Sequence, residues 1–541
     1  MITIETAPIA GQKAGTSGLR RKTRDFMEPR FLENYIQSIL NAIGGAKGKT
    51  FVIGGDGRYF NADAIQTILR MAAAQGADAA IVGQNGLLST PAASHLIRLN
   101  KTDGGFILSA SHNPGGIDED FGLKFNMPNG GPATEAVTNE IFAQTQNLTS
   151  YQTMESPAVD LATRGQTSLG DMAITIVDPV ADYAALMQDL FDFDAIRSLF
   201  EGGFRMAFDA MHAITGPYAT TILEDTLAAP KGTVRNGIPL PDFGGGHPDP
   251  NPIWAKELMQ TMMADDAPDF GAASDGDGDR NMIVGRGAYV TPSDSLAVIA
   301  AHAHRAPGYA KGLAGVARSM PTSAAVDRVA AAKGMGCFET PTGWKFFGTL
   351  LDAGKVNLCG EESAGTGSDH VREKDGLWAV LMWLNIIAST GQSVADLMTD
   401  HWQTYGRNYY SRHDYEAVDS AIANTLMDDL RAKLPTLPGQ TVAGLTVSGA
   451  DEFAYDDPVD GSHTSGQGIR VMFDAGARVV LRLSGTGTQG ATIRVYLERL
   501  EEDPGKLHQD AETALADVIN AANQIAEIAD RTGRAAPDVK T

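Results

Sequence analysis

The chain has 541 residues, which is too long for one hydrophobic core and predicts roughly three to five domains. Apolar residues make up 43% of it and charged residues 20%, as in globular proteins. Its 43 Lys and Arg against 66 Asp and Glu leave a net charge of −23. This balance argues against nucleic acid as a partner, because that binding depends on basic surfaces. If the ligand is an anion, the few basic residues must be gathered at its site.

The cysteine content and the apolar segments indicate the cellular compartment. Cys337 and Cys359 show neither a CxxC motif nor metal-like spacing, so no disulfide is predicted and a reducing cytoplasm fits. Residues 1–15 lack the basic and apolar segments of a signal peptide. The longest apolar stretch, residues 377–388, contains Asn385 and is shorter than the roughly 20 residues that span a bilayer. We expect a buried helix there and no membrane partner.

Three stretches of the chain alternate between apolar strands and helical segments. The predicted strands are 50–56, 79–83 and 105–109, then 204–210 and 270–274, then 313–319 and 356–360. The predicted helices between them are 61–75, which stops at Gly76, one capped by Thr90-Pro91, one near 215–228 and one after Pro321. Strands separated by helices imply parallel crossovers, so the sequence predicts three related α/β domains.

After about residue 405 the pattern changes to that of an α+β domain. A helix is predicted at 419–433, strands at 479–484 and 492–497, and one long final helix at 507–528. The predicted domains are 1–180, 181–291, 292–404 and 405–541.

An unusual loop follows the last strand of each α/β stretch. These loops are SASHNPGG (109–116), DGDGDR (275–280) and GEESAGTG (360–367). Ligands of open α/β sheets bind beyond the carboxyl ends of the strands. Three such loops facing one cleft would form a composite site.

In the first loop, Ser111 is placed at a rigid turn by the Pro-Gly-Gly that follows. Backbone N–H groups at such a turn can bind an anion, and His112 is a neighbouring donor. The alternative is an Asx- or ST-turn with no chemical role. The segment is not a GxSxG elbow.

The second loop carries Asp275, Asp277 and Asp279 at alternate positions, so their carboxylates can converge on one hard cation. An EF-hand is excluded, because its sixth position would be Arg280 and its twelfth Arg286. Three carboxylates and a phosphoryl oxygen suit Mg²⁺, and Arg280 can hold another phosphoryl oxygen. The alternative is a solvated acidic turn.

The third loop offers Glu361 and Ser363, which suit the hydroxyl groups of a sugar. The alternative for Ser363 is a helix cap. Lys374 follows in an alternating run of charges (372–376), whose alternative reading is a salt-bridged surface turn.

The C-terminal domain combines hydroxyls, glycines and guanidinium groups, which suit a phosphate that is not transferred. These residues are Arg482, Ser484, Thr486 and Arg494. The segment lacks the Walker A lysine, so a nucleotide triphosphate is not implied. A similar but weaker cluster, TSGLR, spans residues 16–20.

With these motifs the chain resembles the α-D-phosphohexomutase superfamily nearly from end to end. The matching segments are TSGLR (16–20), SASHNPGG (109–116), GLKFN (122–126), GGGHPDPNP (244–252), DGDGDR (275–280), PTGWKFFG (341–348), CGEESAGTGSDHVREKDG (359–376), YGRN (405–408) and RLSGTGTQGATIR (482–494). The segments 341–348 and 359–376 are more typical of its glucose-specific branch.

The resemblance implies four domains with mixed sheets in a heart-shaped arrangement around one cleft. It implies that Ser111 is a phosphoserine and that Asp275, Asp277 and Asp279 bind Mg²⁺ together with its phosphoryl oxygen. Residues expected to bind the substrate are Arg20, Ser111, Asp279, Arg280, Thr342, Glu361, Ser363, Lys374, Arg482, Ser484, Thr486 and Arg494. Ser109 stands where the superfamily often has Thr, which leaves two candidate serines, and the following His-Asn selects Ser111.

The resemblance further implies exchange of a phosphoryl group between Ser111 and glucose 1-phosphate or glucose 6-phosphate, with glucose 1,6-bisphosphate as intermediate. Proton transfer needs a group titrating near neutrality, and a desolvated lysine in a cationic cleft has a lowered pKa. Lys124 and Lys374 are the candidates, with Arg20 and His112 as orienting neighbours. We expect a cytoplasmic monomer or weak homodimer.

Two alternatives remain open. The first is a mutase acting on mannose or glucosamine phosphates, and the second is a phosphoprotein of the same fold without catalytic activity. A phosphoserine phosphatase is not supported, because the sequence offers no distinct arrangement that would activate a water molecule.

Overall fold

The computed structural model of the chain describes residues 1–15, 17–487 and 490–541, without the side chains of residues 475 and 485–487. The chain divides into two compact units. The first consists of Met1–Pro292, Ala301–Ala314 and Gly343–Ala395, and the second of Ser293–Ala300, Gly315–Thr342 and Asp396–Thr541. Two helices, Pro292–His302 and Val394–Tyr405, contain residues of both units.

The first sheet of the first unit has seven strands and is mixed. Its central strand, Thr50–Gly55, pairs in parallel with Ala79–Leu87 and with Gly105–Leu108, as the predicted crossovers require. Asp120–Asn126 then runs antiparallel to Gly105–Leu108. The strand order is Leu19–Lys22, Asp120–Asn126, Gly105–Leu108, Thr50–Gly55, Ala79–Leu87, Met172–Val177, Gly165–Leu169.

The crossover helices of this sheet follow the predicted apolar faces. Asn61–Ala74 buries Ile65, Ile68 and Leu69 in the core. The next helix, Thr90–Asn100, is capped one residue earlier than predicted, because Ser89 Oγ accepts the hydrogen bond from the Ala92 N–H. The predicted cap at Thr90 was therefore wrong, and its hydroxyl is available for another contact.

The second sheet of the first unit contains the predicted strands near 204–210 and 270–274. Met206–Asp209 pairs in parallel with Phe270–Ser274, which turns back into the antiparallel strand Asn281–Gly285. The strand order is Val234–Arg235, Met206–Asp209, Phe270–Ser274, Asn281–Gly285, Ala288–Val290. The single helix predicted near 215–228 is instead an α-helical turn, Thr215–Ala219, that continues as a π-helix, Thr220–Thr226.

The segments predicted as a third α/β set fall in both units. In the second unit, Gly315–Ser319 pairs in parallel with Gly336–Thr340, and helix Ala325–Lys333 lies between them in the chain. In the first unit, Leu358–Glu361 pairs antiparallel with Gly365–Ser368. The apolar helix Gly376–Thr390 is buried, as predicted. Among the described residues, no single helix is long and apolar enough to cross a membrane. One bent pair of helices, Gly376–Thr390 with Val394–Tyr405, has the length and composition of a span when the two are taken together.

The C-terminal part of the second unit is a seven-stranded sheet whose pairings are antiparallel. The strand order is Thr441–Val442, Leu445–Glu452, Ile469–Phe473, Ala477–Gly487, Gly490–Glu501, Arg407–Val418, Val539–Lys540. Helix Ser420–Lys433 packs on it and is capped by Asp419, as predicted within one residue. The prediction of one long final helix was wrong, since the segment forms three short helices. These are Ala511–Ala514, Ala516–Ala526 and Ile528–Thr532.

The remaining elements are short or peripheral. The other α-helices are Thr23–Met27, Phe31–Ala42, Glu135–Asn147, Ala181–Leu190, Phe193–Glu201, Lys256–Met262 and Lys345–Asp352. The 3₁₀ turns are Phe243–Gly245, Ala303–Arg305, Pro307–Tyr309, Leu434–Thr436, Asp474–Gly476 and Pro504–Lys506. Two further sheets have two antiparallel strands each. Ile2–Glu5 pairs with Ser150–Thr153, and Tyr455–Asp456 pairs with His463–Thr464.

A buried histidine of the C-terminal sheet makes the stability of the second unit depend on pH. Burial lowers the pKa of His413 to about 4, and Lys540, its cross-strand partner, adds to the effect. In the unfolded chain the pKa of a histidine is about 6.5. The unfolded state therefore binds the extra proton first, and stability is lost as the pH falls from about 6.5 to about 4.

We expect His413→Gln to remove about 1 kcal/mol of the stability lost between about pH 7 and pH 5, allowing for partial screening by solvent. Urea unfolding at the two pH values measures the difference. His508→Gln, at an exposed turn, is the matched control and should leave the pH dependence unchanged. Equal acid sensitivity of the wild type and His413→Gln would contradict the assignment.

Candidate active site

Ser111 lies just beyond the strand Gly105–Leu108 in a strained turn. Its φ of 53° is left-handed, a conformation that residues other than glycine seldom adopt. Its buried hydroxyl donates to Asp275 Oδ2 at 3.0 Å and lies 3.3 Å from His112 Nδ1. The ST-turn considered above is made by Ser109, whose fully buried hydroxyl accepts from the Ser111 N–H at 2.7 Å. Ser109 thus supports the turn, and Ser111 faces the carboxylates.

Arg58, a buried arginine that the sequence analysis missed, binds the backbone of this turn. Arg58 donates to the carbonyl oxygen of Ser111 at 2.9 Å and to that of Asp120 at 2.7 Å. Asp56 neutralises it at 2.9 Å, and both side chains are fully buried. The signal in the sequence was a charged pair directly after Gly54-Gly55, at the carboxyl end of the first parallel strand.

The three aspartates of the second loop are brought together in the turn between Phe270–Ser274 and Asn281–Gly285. One carboxylate oxygen from each of Asp275, Asp277 and Asp279 lies within 4.8 Å of the others, and all three side chains are buried. A solvated acidic turn is therefore wrong. The loop also packs against the serine turn, since a Cβ on Gly276 would meet the Ser111 carbonyl oxygen at 2.3 Å.

The electrostatics of the triad favour an added cation. Burial raises the pKa of Asp275 well above its usual range, and Asp279 and Asp277 raise it further. Asp277 is opposed by the same burial, but Lys124 and the Thr90 hydroxyl hold its pKa well below the usual range. Asp277 Oδ1 and Asp279 Oδ1 are buried without a hydrogen-bond partner among the described residues. Unpaired buried carboxylate oxygens are costly unless a cation accepts them, so this donor set fits a metal ion.

Lys124, one of the two candidate proton carriers, is bound tightly to the triad. Its Nζ donates to Asp277 Oδ2 at 2.7 Å and to Thr90 Oγ1 at 3.0 Å. Burial opposes its charge, yet Asp277, Asp279 and Glu373 outweigh that effect and raise its pKa. The lowered pKa expected from desolvation is therefore wrong for Lys124, because its neighbours are carboxylates and not cations.

Lys374, the second candidate, is buried and faces the same triad. Its Nζ lies 3.2 Å from Asp279 Oδ2, so the surface-turn alternative is wrong. Its side chain runs across Gly365, where a Cβ would meet Lys374 Cδ at 2.2 Å. The neighbouring Glu373, missed in the sequence analysis, accepts from Asn126 Nδ2 at 2.9 Å, and burial raises its pKa to about 7.

The basic residues predicted at the site gather around the serine and the triad. Arg280 lies 3.6 Å from Asp249 Oδ1, and its buried Nε has no hydrogen-bond partner among the described residues. Burial lowers the pKa of Arg20, with a further contribution from Arg280. Burial also holds the pKa of His112 well below its usual range, helped by Arg280 and Arg20. This acidic chain therefore concentrates cations at one place, as an anionic ligand requires.

The third loop contacts the second. Arg280 forms an isolated antiparallel bridge with Gly365, and the Asn281 N–H donates to the Ala364 carbonyl oxygen at 3.0 Å. Glu361 Oε1 accepts from the Gly343 N–H at 2.9 Å. Ser363 lies in the turn between two strands, so the helix-cap alternative is wrong. All three predicted loops therefore meet in the first unit.

The residues predicted to anchor a second phosphate lie in the second unit. Arg482 and Arg494 are direct cross-strand partners, and Arg494 Nε lies 3.6 Å from Asp414 Oδ2. Two arginines on neighbouring strands can hold one anion between them. Arg482 Nε donates to the Gln467 carbonyl oxygen at 3.1 Å, and Ser484 follows on the same strand. The Thr486 side chain lies outside the described residues. The buried Thr342 hydroxyl has no hydrogen-bond partner among them.

Comparison with known proteins identifies this combination of fold and site. Models of the phosphoglucomutase/phosphomannomutase α/β/α domains I, II and III match residues 11–152, 181–287 and 292–405, and that of the phosphoglucomutase-1 C-terminal domain matches 407–538. The chain therefore belongs to the phosphoglucomutase/phosphomannomutase family, within the α-D-phosphohexomutase superfamily. The predicted fold class of three α/β domains with mixed sheets and a C-terminal domain is confirmed. Their heart-shaped arrangement stays a prediction.

Full-length relatives narrow the class further. The chain is 59% identical to a phosphoglucomutase of Rhizobium radiobacter over 539 residues, which covers 100% of this chain and 99% of the relative. It is 49% identical to a cytoplasmic phosphoglucomutase of Populus tremula, with 99% of each chain covered. The solved structure of the exocytosis-sensitive phosphoprotein pp63/parafusin, a phosphoglucomutase of Paramecium, matches with a TM-score of 0.93 and 48% identity over 100% of this chain and 99% of that one. The protein is an enzyme of the phosphotransferring isomerase class.

Arg58→Lys tests whether the two carbonyl contacts hold the Ser111 turn. Lysine keeps the charge beside Asp56 but cannot reach both carbonyl oxygens in the fixed geometry of a guanidinium group. We expect a loss of about 2 kcal/mol in the free energy of unfolding, measured in urea, because buried acceptors lose their donor.

Arg164→Lys is the matched control, since Arg164 pairs with Asp178 at the surface and its loss should cost less than about 0.5 kcal/mol. If Arg58→Lys is as stable as this control, the carbonyl contacts do not hold the turn.

Proposed function

We propose that the protein interconverts α-D-glucose 1-phosphate and glucose 6-phosphate through a phosphoserine at Ser111 and a glucose 1,6-bisphosphate intermediate. The observation that carries the proposal is the 3.0 Å contact between Ser111 Oγ and one carboxylate of a buried acidic triad that has two unpaired oxygens. A hydroxyl this close to a candidate cation site supports the role of nucleophile for Ser111. The full-length relatives are phosphoglucomutases, which supports glucose phosphates over other hexose phosphates as substrates.

We propose Mg²⁺ as the ion held by Asp275, Asp277 and Asp279. The donors are all carboxylate oxygens, which suit a hard divalent cation, and the two unpaired oxygens belong to this set. Such an ion, when bound, neutralises the charge that develops on a transferring phosphoryl group.

In the proposed reaction the bond between Ser111 Oγ and phosphorus breaks as the free hydroxyl of the hexose phosphate forms a new bond to phosphorus. The hydroxyl loses its proton, and the alkoxide of Ser111 is left beside Asp275 and His112. The bisphosphate then returns its other phosphoryl group to Ser111, and the newly freed sugar oxygen takes up a proton. Arg280, with its unpaired Nε, is oriented to hold a phosphoryl oxygen during both transfers.

Lys374 is the group we propose to take and return the proton. Lys124 donates to Thr90 at 3.0 Å and to Asp277 at 2.7 Å, so two of its three N–H groups already have acceptors, one of them within the triad. Among the described residues Lys374 makes one ion pair, its 3.2 Å contact with Asp279, and it lies beside the sugar loop. Arg20 and His112 are the proposed neighbours that orient the reacting groups around Ser111.

The remaining substrate contacts follow the same proposal. Glu361 and Ser363 bind sugar hydroxyls, Thr342 lines the bisphosphate site, and the distal phosphate is held by Arg482, Ser484, Thr486 and Arg494. The domain limits proposed are 1–180, 181–291, 292–404 and 405–541. A cytoplasmic location and a monomeric or weakly dimeric state stay predictions.

Ser111→Ala tests the function directly. In an assay coupled to glucose 6-phosphate formation, with a trace of glucose 1,6-bisphosphate, we expect its kcat to fall at least about 1000-fold, because no other group carries the phosphoryl. Ser109→Ala is the matched control and should keep most of the activity, since Ser109 only supports the turn. Near-normal turnover of Ser111→Ala would transfer the role to another residue. Faster turnover of mannose or glucosamine phosphates would favour the alternative mutases, and no isomerisation at all would favour the phosphoprotein.

Asp277→Asn tests the metal site. The amide removes a charge from the triad, so we expect the Mg²⁺ concentration for half-maximal activity to rise about tenfold or more, with kcat also lowered. Asp269→Asn is the control, since Asp269 pairs with Arg286 at the surface, and it should leave the Mg²⁺ titration unchanged. An unchanged titration for Asp277→Asn would remove Asp277 from the metal site.

A further inference from the structure

We propose that His370 and Asp375 are positioning residues that hold Lys374 in place for proton transfer, through a closed chain of buried hydrogen bonds. The inference rests on the proposed role of Lys374 and adds residues to which the resemblance and the comparisons assign no role. The chain runs through five side chains, namely Tyr309, Ser368, His370, Asp375 and Tyr183.

The chain is continuous and its contacts are short. Tyr309 Oη lies 2.5 Å from Ser368 Oγ, which lies 2.7 Å from His370 Nδ1. His370 Nε2 lies 2.9 Å from Asp375 Oδ2, and Tyr183 Oη donates to Asp375 Oδ1 at 2.6 Å. The His370 and Asp375 side chains are 1% and 0% exposed, so water does not compete for these bonds.

Only one direction of donation satisfies every group in the chain. Trp378 Nε1 donates to Tyr309 Oη at 2.8 Å, which leaves the Tyr309 hydroxyl hydrogen for Ser368. Ser368 then donates to His370 Nδ1, and His370 carries its hydrogen on Nε2 and donates it to Asp375. Asp375 also accepts from Tyr183, so both of its oxygens are occupied. A network in which each donor has one acceptor is rigid, and a broken link leaves a buried polar group unpaired.

Serine, histidine and aspartate here have the connectivity of a hydrolytic triad, but not its exposure. Ser368 is 1% exposed and its oxygen already receives the Tyr309 hydroxyl, so no substrate can reach it. A nucleophile must be accessible to the atom it attacks. The arrangement is therefore structural, and its effect is on the backbone and side chains that it holds in place.

The chain holds the residue that follows Lys374. Asp375 Oδ1 accepts from the Trp378 N–H at 3.0 Å and so caps the buried helix Gly376–Thr390. Its backbone N–H donates to the Thr366 carbonyl oxygen at 2.8 Å, and the Gly376 N–H donates to Gly278, between two of the triad aspartates, at 3.0 Å. With Asp375 fixed by His370 and Tyr183, the Lys374 backbone has one position, and its side chain lies across Gly365 toward Asp279.

The matched variants His370→Gln and His370→Asn separate this role from mere packing. Both lose the ring stacked on Trp378. The longer glutamine places an amide N–H₂ near the position of Nε2 and can still donate to Asp375, whereas asparagine reaches only toward Ser368. We expect kcat in the glucose 1-phosphate assay to fall about 100-fold for His370→Asn and less than about fivefold for His370→Gln. KM should change less than about threefold in both, since substrate binding is not the function affected.

Hydrogen exchange across residues 366–376 provides a readout that does not depend on activity. We expect faster exchange in His370→Asn than in His370→Gln, because only the former releases Asp375. If the wild type isomerises no hexose phosphate, the proposed function fails, while this comparison still decides whether the chain orders the Lys374 segment.

Equal losses of kcat in the two variants, or equal exchange, would overturn the inference. If His370→Asn does not fold, Tyr183→Phe removes the other donor to Asp375 with a smaller change of shape. It should lower kcat about fivefold without raising KM. Wild-type kcat and exchange in Tyr183→Phe would then overturn the inference.

Discussion

The burial of three carboxylates within 4.8 Å of one another is the constraint on which the rest of the first unit depends. Their mutual repulsion and lost hydration cost several kcal/mol unless cations lie close by. Lys124 supplies one of these charges, 2.7 Å from Asp277, and Arg280 follows the last aspartate directly. Asp277 Oδ1 and Asp279 Oδ1 have no hydrogen-bond partner in the described part of the chain, so the groups there leave the compensation incomplete. The site is thus prepared for a metal ion and an anionic ligand together.

This arrangement explains how an acidic chain can bind anions. A net charge of −23 repels a phosphorylated ligand at long range, and salt screens that repulsion beyond about 10 Å. At the site positive charge is supplied locally, because Arg20 and Arg280 lie close enough to His112, the neighbour of Ser111, to lower its pKa, while the triad's charge is directed toward the cation position. Local placement, and not overall charge, decides what this surface binds.

Strand periodicity and loop composition are local signals, and they predicted the main strands, most helices and the meeting of three loops. Features that depend on contacts between distant segments have no such signal in the sequence. Arg58 acts through backbone carbonyls of Ser111 and Asp120, which no spacing in the sequence reveals. Lys124 was assigned the wrong direction of pKa shift, because the carboxylates around it come from residues more than 150 positions away.

The errors in secondary structure have similar causes. Ser89 replaced Thr90 as the helix cap, since Thr90 is recruited by Asp277 at 2.7 Å, a tertiary contact that overrides local preference. The final helix breaks at Leu515 and again at Glu527. Glu527 has a left-handed φ of 54°, and because it is not a glycine the sequence gives no sign of this break. Composition indicated helix there correctly, but not where it is interrupted.

The left-handed backbone at Ser111 has a consequence for how this protein can change over time. At a φ of 53° a glycine would relax the backbone, whereas a serine costs on the order of 1 kcal/mol. Under the role proposed for Ser111, selection for a more stable fold and selection for a hydroxyl at this point act in opposite directions. A descendant of this chain that no longer used this hydroxyl would be free to replace Ser111 with glycine.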